Sequence, residues 1–555
     1  LLLSIAVLLA PSARALDPRR AFTQYQSKHW GPEEGIPCND VLSVIQTADG
    51  YLWLGTEEGL VRFDGVRMEL VERDSHEASS GDNISQVLDD TRHPGCVLSI
   101  SSTGSLRRAV EHRLDAFSVM TASTHQPGRI LVQNPSDGAC WAGTVHGLFR
   151  IGPEGDVTRP DSGLPDWPSE PINTICRDDA GRLWIGTALG IYRQRDAGDG
   201  RHFERVANWQ GGGVDCIAPA KSGGLWISSR EAGIGQLGAD GVFHPRATLA
   251  GRVVTSLLED RDRTLWAGTF GSGLYRIPAH PMPENADEPE AFTTTAGLID
   301  NQVNSLFEDR EGDLWIATGR GLQVLRDTRF ASYGKPEGLA DDNAVTIFED
   351  PQQRLWIGTN NGLSLLDFES HRVTNYATPS SASRPDDGLI LSLGPAGDGE
   401  TLLAGTHTGL LRWHDGKLEP LSVRADLDAT AVRAMCIDPA GNHWIGTSSG
   451  LFQVRAGKVQ ARLTTADGLA DNLVRALYLD GQGNLWVATD GGLTRRGADG
   501  QITNFLTQGV GSLLCFAQEP AGARDLFVGS DLGLHRLHAT ANGGVKITSY
   551  TTREG

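Results

Sequence analysis

Ser448 stands between Gly446 and Gly450 in GTSSG, the spacing of a GxSxG nucleophile elbow. An elbow needs a strand-to-helix turn that lifts the serine above a sheet. The same five positions return as Gly358-Thr-Asn-Asn-Gly362, so this one reads as a hairpin. The carboxylate pairs Glu308-Asp309 and Glu349-Asp350 also recur in frame, as turn residues, and make poor acid/base candidates. No Walker loop, HExxH or CxxC is present, and no His/Cys cluster suggests a metal or cofactor. The seven cysteines, Cys38, Cys96, Cys140, Cys176, Cys216, Cys436 and Cys515, are scattered, which fits small buried thiols better than a disulfide framework. No residue qualifies as catalytic. Arg433 and Arg475 are better placed for chemistry, because guanidinium forks grip carboxylate or sulfate in a bidentate way.

What positions them is a repeat. LWIATGRGLQVL at Leu314–Leu325 returns as LWIGTNNGLSLL at Leu355–Leu366. Indexed on the Trp, the units fall at Trp53, Leu98, Trp141, Trp184, Trp226, Trp266, Trp315, Trp356, Leu403, Trp444, Trp486 and Phe527, twelve units at steps of 40 to 49 residues. Each reads as four short strands: Val303–Phe307, Leu314–Thr318, Leu322–Leu325 and Phe330–Tyr333 in the unit of Trp315. Asp and Gly supply the tight turns between them. Four-stranded units of this period are propeller blades. The class is all-β, tandem β-propellers, with the Trp wedged between blades. Four Trp stand outside the frame: Trp30, Trp167, Trp209 and Trp413. They suit surface packing, or an aromatic platform for sugar.

In the first strand, the residue eleven before the Trp varies between steadily apolar neighbours: Asn173, Asp215, Thr255, Asn304, then Arg433 and Arg475. Variation of this kind suits a channel-facing position, either solvating the rim or binding a ligand. Blades ten and eleven would then present two guanidiniums to an acidic ligand, such as a uronate-bearing oligosaccharide. Arg320 and His407 are weaker candidates, on hairpins expected to open on the same face of their own rings.

Leu1–Leu9 is too short to span a bilayer. Followed by Ala13-Arg14-Ala15, it reads as the remnant of a secretory signal, 1–15, cut after Ala15. Phe22–Tyr25 resembles a fourth strand without a blade, as in rings closed by strands from both ends. Residues 16–333 are assigned to a first seven-bladed propeller. Residues 334–555 form a second with five blades, cut before completion, since Tyr550–Gly555 repeats the connector that elsewhere opens a blade. A net charge of −20 argues against a general nucleic-acid or anionic-membrane binder.

The combined pattern GLxDNxVxxLxED–xxGxLWIGTxxGL, in Gly297–Leu322, Gly338–Leu363 and Gly468–Leu493, resembles the two-component-regulator propeller repeat. So does Tyr51–Gly65, YLWLGTEEGLVRFDG. Leu98, Leu403 and Phe527 depart from its Trp but keep the glycine frame. The resemblance implies the periplasmic sensor of a receptor anchored in the inner membrane, with a histidine kinase or diguanylate cyclase as output, a small-molecule or oligosaccharide ligand, and homodimerisation left open. An exported propeller enzyme (a lyase or glycosidase) and a structural docking propeller are the alternatives.

Overall fold

The computed structural model describes residues 14–73, 83–110, 113–119, 128–159, 170–195, 202–206, 209–238, 241–247, 249, 251–277, 289–328, 330–367, 372–379, 388–397, 401–505, 511–518, 525–539 and 545–551. The Leu1–Leu9 run and Trp167 lie outside them. The described strands form twelve antiparallel sheets, one per unit. Eleven have four strands. Blade two has a fifth, Glu72–Arg73, parallel to Arg113–Val119. The chain divides into two compact units, Leu1–Ala331 with seven sheets and Ser332–Gly555 with five.

In the first unit the innermost strands follow one another in a closed cycle, because Val41–Gln46 of blade one lies beside both Ile84–Asp89 of blade two and Val303–Glu308 of blade seven. The strand that closes this ring is Gln26–Trp30, antiparallel to Gly321–Arg326 from Gln26↔Arg326 to Trp30↔Leu322. Two strand assignments are corrected by it. Phe22–Gln24 is a 3-10 turn, which sends Phe22 and Tyr25 into the core between blades six and seven. Phe330–Tyr333 is not a strand: the edge it would need is already taken, and Phe330 is 87% exposed. Gly321, at φ 130°, leaves the space this closure needs, since a Cβ there would sit 2.2 Å from the Trp30 carbonyl oxygen. Trp30 is no surface residue. It is buried and stacks on Trp315 at 5.5 Å.

The second strand of most blades is buried along its whole length. Its Trp faces the next blade: Trp53 joins Ile84 and Val87, Trp266 joins Val303 and Leu306, and Trp315 joins Val41 and Val44. A buried indole N–H needs an acceptor. In six blades it is a carboxylate six residues earlier, at the turn into the same strand. Trp315 Nε1 donates to Asp309 at 2.7 Å, Trp356 to Asp350 and Trp266 to Asp260 at 2.8 Å, Trp184 to Asp178 and Trp486 to Asp480 at 2.9 Å, and Trp444 to Asp438 at 3.1 Å. The same carboxylates accept backbone amides of their turns, as Asp309 does from Asp313. Trp53 uses Thr47, and Trp226 borrows Glu259 from the next blade.

Trp315→Ala should cost about 3–5 kcal/mol in the first unit, read by chemical denaturation. A transition matching the parent's would show that the indole is not the wedge.

Burial pushes the Asp260 carboxyl up to about 6, against the hydrogen bonds it accepts. Between the ordinary carboxylate range and about pH 6, the folded chain therefore keeps a proton that the unfolded chain has lost. The stability linked to this group is present in acid and lost as pH rises through about 6. From about pH 4 to pH 7, the parent should lose on the order of 2 kcal/mol more than Asp260→Asn. Parallel unfolding curves for the two across this range would contradict the buried carboxyl's role.

Candidate functional site

The variable position of the first strand has a structural cause. In eleven of the twelve blades, the pairing of first and second strands slips by one residue near the inner end. Asn173, Thr255, Asn304, Arg433 and Arg475 each fall inside such a slip. A bulged residue is released from the ladder and its side chain is re-aimed.

In the first unit, three of these side chains join one blade to the next. Asn173 Nδ2 donates to the Val214 carbonyl at 2.9 Å. Asn304 Nδ2 donates to the Val41 carbonyl at 2.9 Å and to Asp40 Oδ1 at 2.6 Å. The Thr255 hydroxyl donates to the Val303 carbonyl. One residue on, hydroxyls accept amides from the neighbouring blade: Ser43 from Val87, Thr174 from Ile217 and Ser256 from Leu306. Asn173, Thr255 and Asn304 therefore belong to a polar seam between innermost strands. Asp215 is different. Burial raises its pKa, Arg230 stands 3.5 Å from Oδ1, and Oδ2 is buried without a hydrogen-bond partner.

In the second unit, Arg475 grips Asp490 with both ends of its fork, Nε to Oδ1 at 2.6 Å and a terminal nitrogen to Oδ2 at 3.1 Å. This contact holds Asp490 below the usual carboxylate range, and the Arg433 charge adds to the effect. Arg433 Nε is buried with no hydrogen-bond partner. Arg475 thus pairs with this carboxylate, Arg433 acts on it through space, and the Asp531 carboxylate also acts on Arg475. Asp490 was missed in the sequence because it lies in the hairpin after the Trp strand, four residues past Trp486. Arg320 and His407 are exposed on hairpins in separate units. Of the other Trp outside the frame, Trp413 packs against Trp356 at 4.7 Å, and Trp209 meets Phe243 edge-on at 5.1 Å beside an open cavity.

Stretches 35–58, 166–188, 248–271, 297–320, 338–361 and 468–491 match the family model described as two component regulator propeller. These are two component regulator propeller repeats. Among solved structures, the chain is similar to one described as the extracellular domain of a hybrid two component system from B. thetaiotaomicron, at 22% identity and TM-score 0.78, covering 96% of this chain and 73% of that one. A second, the extracellular domain of a one component system from the same organism, aligns at 18% identity and TM-score 0.45, covering 96% and 74%. Virginiamycin B lyase from Staphylococcus aureus aligns at 12% and 0.43, covering 54% and 98%. No curated protein matches the chain. At 22% identity the first likeness establishes the fold alone. The first is extracellular by its own description.

If the bulged asparagine is a seam residue, Asn304→Ala should cost about 1–3 kcal/mol, because the Val41 carbonyl loses its donor. A solvent-lining side chain would change stability by no more than about 0.5 kcal/mol. Urea unfolding of the variant separates the two.

Proposed function

We infer that this chain is the extracytoplasmic ligand-sensing region of a transmembrane signalling receptor whose output, a histidine kinase or a diguanylate cyclase, lies outside this sequence. The observation that carries the reading is the two component regulator propeller repeat, recurring from residue 35 to residue 491. Export through the 1–15 segment and anchoring of the parent in the inner membrane belong to the same proposal.

The second unit reads as a ring that further blades complete. Ile347 of blade eight is 62% exposed, whereas its counterparts Val44, Ile175 and Leu306 in the closed ring are 2%, 4% and 7% exposed. Leu534 of blade twelve is 43% exposed, against 1% for Leu60 and 0% for Leu322. These are the two faces on which missing neighbours would pack.

The ligand best suited to the Arg433–Arg475–Asp490 group is acidic, such as a uronate-bearing oligosaccharide, with Arg433 making the new contact and Arg475 already held in position. Calorimetric titration with uronate-bearing and neutral oligosaccharides tests this. Acidic chains should bind and neutral ones should not. Replacing Arg433 and Arg475 together by Ala should abolish binding and leave the melting temperature nearly unchanged, since both side chains are partly exposed. Equal binding by the double variant would refute the assignment.

A further inference from the structure

Blade nine carries Leu403 where nine of its sisters carry Trp. In this second unit the Trp356, Trp444 and Trp486 indoles fill the seams that follow blades eight, ten and eleven. The seam between blades nine and ten holds instead a cavity of about 220 Å³. Leu403 and Leu410 wall it on one side, and Ile445 and Val454 on the other. An apolar cavity of about 150 Å³ is enough to take up benzene.

Arg412, on the third strand directly opposite Leu403, also lines this cavity and is exposed. The matching arginines of other blades each have a ring or a carboxylate. Arg62 lies over Trp53 at 5.8 Å and Arg495 over Trp486 at 5.9 Å. Arg150 pairs with Asp137, Arg193 with Glu204, Arg276 with Glu290 and Arg536 with Asp525. Among the described residues Arg412 has neither. Glu419 is its cross-strand neighbour, yet no ion pair joins them. Among the described residues, the site therefore lacks two things together, an indole in the slot and an anion at the guanidinium, while the His443 imidazole lines it beside Thr401.

We propose that the cavity at Leu403 binds a small aromatic carboxylate, its ring in the slot the indole occupies in other blades and its carboxylate on Arg412. The ring gains burial between two blades and a cation–π contact with the guanidinium. The carboxylate gains a charge-assisted hydrogen bond. None of the lining residues belongs to the Arg433–Arg475–Asp490 group, so the two sites stand or fall separately.

Indole-3-acetate, phenylacetate and neutral indole are the probes, titrated into the full chain by calorimetry and thermal melting. Indole-3-acetate should bind and raise the melting temperature. Arg412→Met, which keeps the apolar stem, should weaken it by about thirtyfold or more, the loss of a hydrogen bond to a charged group together with the cation–π contact, while weakening indole only about two- to fivefold, the loss of the cation–π contact alone. Leu403→Trp should fill the slot, raise the melting temperature and abolish binding of all three. If Leu403→Trp does not fold, Leu403→Phe serves, with weakened binding of all three as the expected result. Failure of the parent chain to bind either acid overturns the proposal. So does undiminished binding by the filled variant, or equal loss of acid and neutral indole in Arg412→Met.

Discussion

The hydrogen bond from a buried indole N–H to a carboxylate six residues earlier is the contact on which the blades depend. It fixes the ring's orientation, so that its face meets the next blade while its polar edge is satisfied at home. It also leaves each of these six blades with a buried or half-buried carboxylate to stabilise. Asp178 and Asp350 have Arg182 and Arg354 four residues on, and hydrogen bonds from these residues and from the indole overcome burial and lower their pKa. Asp260 and Asp309 have no such arginine, and burial raises them. One motif thus carries two electrostatic states, according to whether burial or the hydrogen bonds each carboxylate accepts prevail. Where the indole is absent, the outcome depends on the surroundings. Around Leu98 the gap is closed by Phe149 and Ile151 of the next blade. Around Leu403 it stays open.

The second constraint is the bulge near the inner end of the first strand. A regular strand would point that residue into the sheet stack, where only apolar side chains fit. The bulge frees it, and each blade uses the freedom differently. Asn, Thr and a row of hydroxyls join neighbouring blades in the first unit, and two arginines converge on Asp490 in the second. The variable residues are therefore a mixture of seam and candidate site.

Much of this was legible because it is periodic. Trp315 and its sisters, the Asp turns and the hairpin glycines recur at one spacing, so blade number and strand order follow from counting. What escaped was whatever broke the period or joined distant stretches. The closing strand Gln26–Trp30 has no counterpart in frame, and its partner lies almost 300 residues away at Leu322–Arg326. Asn304 and Arg475 looked alike because both vary. Only the partners, the Val41 carbonyl and Asp490, tell a seam from a charge cluster. Asp309 was visible six residues before Trp315, but its role as acceptor for the indole requires the fold.

The closure of the first ring has a consequence for the order in which the molecule is made. Gln26–Trp30 is synthesised before any blade of this ring, yet its partner edge does not exist until Arg326 has been added. Through nearly the whole synthesis of seven blades, an edge-seeking strand carrying Trp30 waits without its ladder. Blades one to six can stack locally as they emerge, with short loops to close. The last step, a contact of very high sequence separation, carries the largest loop entropy. Refolding of the first unit should accordingly be limited by ring closure, with the N-terminal strand the last to dock and the first to leave.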